Sequence, residues 1–444
     1  MSHAVVIGGS ISGLLSAAAL SRVHARVTVY ERDASALEAT PRRGVPQGHH
    51  AHALLKAGEE AIEALLPGTR AELVSRGAHR LNFARDVAWL HHGRWKLRHE
   101  GPLEGLMCSR PLVEKVLSDR VLATGRVTIH RGRSIDALRI ESDRVRGVSL
   151  GGIEDAADVV VDASGRAGAL ARTLGVTVPL ESTRLDLRYV SRSFRAPASP
   201  TGWRSLIVYP DPPGRRFGLV FPVENGRWIV TLGGWHGDHP PTDDEGFRAF
   251  AWSLADPAIA EAIAEAEPLG DIQSHAVPGA VWRRWDRVPS LPRGLVMIGD
   301  VCCALDPVFG QGMTVAARCA LALAEHLARD PRLERPRELQ HAQAGVIRPA
   351  WLLATSEDLR FPETEGARAP WLPWLQAYTR RVFLRSADDP EVYDAFLRVM
   401  HLVAPPTSLF APRIALRVLG GGTTRPPTPA LATPSRRTEL GSPS

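Results

Sequence analysis

The chain has 444 residues, 44% of them hydrophobic and 23% charged, a balance that fits a folded enzyme and excludes predominant disorder. That length exceeds what one hydrophobic core usually fills, so a large domain carrying an inserted second one is expected. The net charge of +6 comes almost wholly from scattered arginines, with Lys56, Lys96 and Lys115 the only lysines, which argues against a nucleic-acid partner, and no apolar run is long enough for a membrane span.

Residues 4–8 read as a buried parallel strand that begins too near Met1 to leave room for a cleavable leader, so a cytoplasmic location is expected. A turn, Gly8-Gly9-Ser10-Ile11-Ser12-Gly13, leads into a helix of small side chains over 13–21, and a second strand follows over 26–31. The unit is half of a doubly wound fold. Gly8 permits the tight turn and Gly13 lets helix and strand approach, while the amides at the helix start face a pyrophosphate. Ser10 stands where the usual fingerprint has its middle glycine, a small and tolerable departure that weakens the match. Glu31, 18 residues after Gly13, can accept hydrogen bonds from ribose hydroxyls, and Arg32 beside it joins the candidate cofactor-binding residues.

A polar loop over 41–52 runs into a helical pattern over 53–66, and another helix starts near Arg110 with Leu112, Val113, Val116 and Leu117 on one face. Strands are expected at 127–130, 145–150 and 158–162. From about 184 to 280 the pattern changes to alternating aromatic strands, including a hairpin around Glu224-Asn225-Gly226. The expected organisation is α/β: a discontinuous doubly wound cofactor domain (1–183 and 281–360), an inserted, mostly antiparallel β-sheet substrate domain (184–280), a helical C-terminal region (361–419) and a disordered tail (420–444). Phe221, Trp228, Trp235 and Trp282 are candidates to line an apolar substrate pocket, although alternation alone does not say which face of a sheet is the core.

Residues 294–300 return to a buried strand that ends at Asp300, where a carboxylate is costly unless it accepts hydrogen bonds. A ribityl hydroxyl would supply one. Gly310 and Gly312 open the helix over 312–329, so their amides can face a flavin ring, with Pro307 and Met313 beside them. A dinucleotide held from both ends of a long chain is most economically FAD. The plain alternative is an Asp that caps a packed helix.

The chain resembles the superfamily of FAD-dependent aromatic hydroxylases and related monooxygenases, and more closely the bacterial FAD epoxidases of polyether biosynthesis. The resemblance rests on Arg43-Gly44-Val45-Pro46-Gln47, Cys108-Ser109-Arg110, Val161-Asp162-Ala163-Ser164-Gly165-Arg166, Gly226-Arg227-Trp228-Ile229-Val230-Thr231, Asp243-Asp244-Glu245-Gly246-Phe247 and the segment from Gly299-Asp300 to Met313. It implies that Glu31 binds the adenosine ribose, Arg110 lies near the diphosphate or ribityl chain, Asp300 holds the ribityl, and residues 307–313 line the flavin ring. Arg43 would lie near the isoalloxazine, and Arg43 and Pro307 are the nearest candidates for a catalytic role in chemistry carried by the flavin. Reduced FAD would react with O2 to form a C4a-hydroperoxide that passes oxygen to an alkene or an electron-rich ring of a large apolar metabolite.

Asp162-Ala163-Ser164-Gly165-Arg166 departs from the Asp-Gly signature of the hydroxylases, which leaves open whether NAD(P)H or a partner flavin reductase supplies electrons. Aromatic hydroxylation and a reduction of the geranylgeranyl-reductase type are the alternatives to epoxidation, and a flavin-free binding protein is the non-enzymatic one. A halogenase is disfavoured because its Trp-x-Trp-x-Ile signature is missing. His49, His50 and His52 lack further ligands for a metal, so no metal is expected, and Cys302 and Cys303 read as small packing residues.

Overall fold

The computed structural model describes residues 2–35, 38–41, 46–168, 170, 173–198 and 201–420. Arg43 and nearly all of the expected tail lie outside the described residues. A five-stranded sheet forms the first layer, in the order Leu295–Met297, Val159–Asp162, His3–Ile7, Arg26–Glu31, Val127–Arg131. Every neighbouring pair is parallel, with Ile7 opposite both Asp162 and Tyr30. Largely apolar central strands suit such a sheet, because its faces are covered by helices and by the three-stranded sheet of Ala137–Glu141, Arg144–Leu150 and Ile153–Ala156.

The helix Ile11–Leu20 buries nine of its ten residues, and it packs on the helices Arg110–Leu122 and Gly312–Leu327. Ala17, Ala18 and Ala19 add no bulk between these helices, while Leu14, Leu15 and Leu20 are fully buried and contribute about 1.5–3 kcal/mol each. Close packing here fixes the start of the helix relative to the strand ends. It therefore fixes the turn between them.

The second layer is a nine-stranded sheet, mostly antiparallel, whose longest strand, Leu180–Arg195, lies between Arg227–Trp235 and Gln273–Arg283. The expected hairpin forms from Arg216–Val223 and Arg227–Trp235, with Asn225 and Gly226 both at positive φ. The sheet is not confined to residues 184–280. Val87–His91 pairs in parallel with Ser205–Val208, Arg94–Trp95 extends the edge, and Cys303–Ala304 pairs with Gln273–Arg283 at the other end. These strands are short and pair over long separations, so local alternation could not reveal them.

Helices Leu372–Arg385, Pro390–Met400 and Pro412–Gly420 form the C-terminal region and close over the Val87–His91 edge of the sheet. Two differences in boundary from the sequence reading bear on the site. The helix expected from 53 begins at Lys56, and the return strand stops at Met297, because Gly299 at φ +67° turns the chain into a 3-10 turn, Gly299–Val301. Asp300 therefore sits in that turn rather than on the strand.

Candidate cofactor and substrate site

The turn after the first strand is built for close approach. Gly8 has φ +102°, and a Cβ on Gly13 would lie 1.8 Å from the Gly8 carbonyl oxygen. Any side chain at Gly13 would force helix and strand apart. The Gly9 amide donates to Glu31 Oε2 at 2.7 Å, and the Asp33 amide donates to Oε1 at 2.9 Å, so Glu31 ties the turn to the end of the second strand. Ser10 occupies the N-cap of the helix without capping it: its hydroxyl donates to Glu114 at 2.8 Å instead. The first turn holds no acidic residue, so its amides and the helix dipole stay available to an anion.

Arg110 completes this corner by donating from Nη2 to Ser10 Oγ at 3.1 Å and from Nε to Glu114 at 2.9 Å. Such tethering leaves further N–H donors in a fixed orientation. The return segment meets the same corner, since a Cβ on Gly299 would lie 2.1 Å from Ser12 Oγ. Asp300 thus follows a residue packed directly on the amino-terminal turn. Burial pushes its carboxyl pKa up, and the guanidinium groups of Arg110, Arg166 and Arg283 oppose that shift. A carboxylate set among fixed cations and facing open cavity suits a hydroxyl donor.

Gly8, Ser10, Glu31, Arg32, Arg110 and Asp300 line one cavity of about 920 Å³, and Pro307, Gly310, Gly312 and Met313 continue its wall. Gly9 and Gly13 do not reach it; they shape the turn from behind. Gly310, in the left-handed region at φ +65°, ends the turn Pro307–Phe309 just before the helix from Gly312. Away from the cleft the cavity opens into an apolar chamber walled by Phe83, Trp89, Ile207 and Leu219 on one side and by the C-terminal helices on the other.

Of the four candidate substrate-pocket residues only Phe221 lines this cavity. Trp228 stacks on Trp203 at 5.4 Å on the other face of the sheet, Trp235 packs on Phe217 and Phe361, and Trp282 packs on Trp351. Each is nearly fully buried, so these three are core residues and the sequence reading of them is corrected. Sequence reasoning missed Phe383, Tyr393, Phe396 and Leu397 in the C-terminal helices, together with Arg133 and Arg166, all on the cavity wall. The amphipathic pattern of Pro390–Met400 could have signalled a buried face, but not that a cavity lay beneath it.

The His-rich loop is pinned to the sheet. His50 Nδ1 lies 2.7 Å from Ser191 Oγ, which is 2.6 Å from Thr231 Oγ1, and the Ala51 amide donates to the same Thr231 oxygen. His52 lines the cavity. Burial lowers the pKa of His50 to about 3 and of His52 to about 4, so both rings are neutral at pH 7.

Sequence comparison now decides the family, because the FAD binding domain family matches residues 1–341. The chain belongs to that family. A relative named Protein Rv3254, from Mycobacterium tuberculosis, is 33% identical over 428 residues, which is 90% of each chain. The 6-methylpretetramide 4-monooxygenase of Streptomyces rimosus is 27% identical over 353 residues, covering 74% of this chain and 77% of its own. A flavoprotein/dehydrogenase structure from Cytophaga hutchinsonii superposes with a TM-score of 0.68 at 17% identity, covering 94% of this chain and 96% of its own, and shows a shared fold.

FAD is accordingly the cofactor, and the protein is a flavoenzyme of the FAD binding domain family. The residues present fit that group. A cradle too tight for any Cβ, uncapped helix amides, an acid at the second strand end, and a second carboxylate on the far side of the cleft match a dinucleotide with two ribose-like chains and a pyrophosphate.

Proposed function

We propose that the protein is an FAD-dependent monooxygenase that transfers one oxygen atom from O2 to a large apolar, polyketide-like metabolite, with epoxidation of an alkene as the reaction. One observation carries this reading: a single cavity joins the dinucleotide cleft to an apolar chamber beneath the large sheet. When bound, FAD supplies the oxygen chemistry. Glu31 and Arg110 would orient the adenosine and diphosphate, Asp300 the ribityl chain, and residues 307–313 the ring. Apolar walls keep water from the reacting centre.

Epoxidation is favoured over hydroxylation because it needs no side-chain base, and His52, the histidine of the loop that faces the cavity, is a weak base with a pKa near 4. Hydroxylation of an aromatic ring is the second reading, and the Streptomyces rimosus relative, a 6-methylpretetramide 4-monooxygenase, is compatible with either. The electron donor is NAD(P)H directly or through a partner flavin reductase.

Turnover of a polyene polyketide under labelled dioxygen tests the proposal, with NADPH alone and with NADPH plus a flavin reductase. The expected product carries one labelled oxygen as an epoxide. A labelled phenol formed from an aromatic polyketide run in parallel would select the hydroxylase reading, and an unlabelled, reduced product would select a reductase instead.

A further inference from the structure

One corner of the apolar chamber is polar. His91, at the end of the strand Val87–His91, lines the cavity at 4% exposure, and its Nδ1 is buried without a hydrogen-bond partner. Its ring is fixed by Trp89 at 5.4 Å, Phe383 at 4.4 Å and the edge of Tyr209 at 5.3 Å. Glu357, near the end of the helix Pro336–Asp358, lines the same space, and Arg360 Nε donates to one of its oxygens at 2.7 Å. Tyr209 stands between this corner and the segment Pro307–Phe309, its ring 6.5 Å from that of Phe309. The Tyr209 ring thus separates the corner from the flavin segment.

Ligating atoms of His91, His92 and Glu357 lie within 4.8 Å of one another. One oxygen with two hydrogen bonds of about 2.8 Å can bridge atoms spaced so. Electrostatics point the same way. Arg360 already neutralises Glu357, and its charge acts against a cation at His91. His92 is turned to another partner, Asp211, at 2.6 Å.

We infer that His91 and Glu357 form a recognition site for a neutral hydroxyl or primary amide carried on the part of the substrate that lies beyond Tyr209. The substituent donates to Glu357 and exchanges a second hydrogen bond with the His91 ring. Buried polar groups of this kind discriminate strongly against an analogue that leaves them unpaired. The inference deepens the monooxygenase reading and rests on it for treating the chamber as substrate space.

Binding of pyrene and 1-hydroxypyrene to the FAD-loaded protein, followed by fluorescence titration, tests it without turnover. The wild type should bind 1-hydroxypyrene at least about tenfold more tightly than pyrene. In His91→Phe and Glu357→Leu that preference should fall to within about twofold while pyrene affinity is kept, since both replacements are apolar and remove the hydrogen-bonding atoms. Equal affinities in the wild type would overturn the inference and leave the labelled-oxygen result untouched. Failure of both probes to bind would remove the substrate chamber itself. One equivalent of zinc retained through dialysis by the wild type and lost in His91→Phe would overturn the inference in favour of a metal centre.

Discussion

Replacing Glu31 separates a cofactor contact from a structural brace. Its carboxylate is 6% exposed and accepts backbone amides from Gly9 and Asp33 at 2.7 and 2.9 Å. Glu31→Ala leaves both amides without that acceptor, at about 1–3 kcal/mol for each one left unpaired, so the apoprotein should lose several degrees of Tm. The lost ribose contact adds about 1–3 kcal/mol on the FAD side, or roughly 5- to 150-fold in Kd. Glu31→Gln keeps one carbonyl acceptor and should fall between. Calorimetry of the apoproteins and FAD titration of the same samples give the two terms separately. A lowered apoprotein Tm with an unchanged FAD Kd would refute the cofactor role and leave Glu31 as a brace alone.

Three further outcomes follow from the same geometry. Gly13→Ala places a Cβ 1.8 Å from the Gly8 carbonyl and should abolish FAD binding or folding; a fully loaded, stable variant would contradict the cradle. Gly299→Ala, with φ +67° and a contact of 2.1 Å on Ser12, should reduce flavin content after purification, measured by absorbance. His50 and His52 have folded-state pKa values near 3 and 4, below the unfolded value of about 6.5, so their stabilising effect is complete above that value and is lost as pH falls. At pH 5 each costs about 2 kcal/mol, so the wild-type Tm should drop steeply between pH 6.5 and 4, with a shallower drop in His50→Gln. Parallel profiles would contradict the burial argument.

The cofactor half was legible because its signals are local: strand, turn, helix and terminal acid follow one another within the first 31 residues, and Asp300 ends a segment of comparable clarity. Gly299 on Ser12 joins the two. The substrate half was not, for two physical reasons. Trp228, Trp235 and Trp282 alternate along strands, but alternation reports two faces without naming the one that meets the cavity. The chamber wall is assembled from Val87–His91 and the C-terminal helices, which contact the sheet only through tertiary packing. The polar corner likewise joins residues 266 positions apart, His91 and Glu357, that no local pattern connects.

The central claim is that one dinucleotide is held jointly by the amino-terminal turn and the Asp300 turn. Calorimetric titration of the apoprotein with FAD and with ADP, comparing wild type with Asp300→Ala, tests it most directly, because ADP can occupy only the amino-terminal half. The account expects one FAD per chain, at least about tenfold weaker FAD binding in the variant, and unchanged ADP affinity. Wild-type protein that takes up no FAD, or a variant that binds FAD as tightly as the wild type, would contradict it.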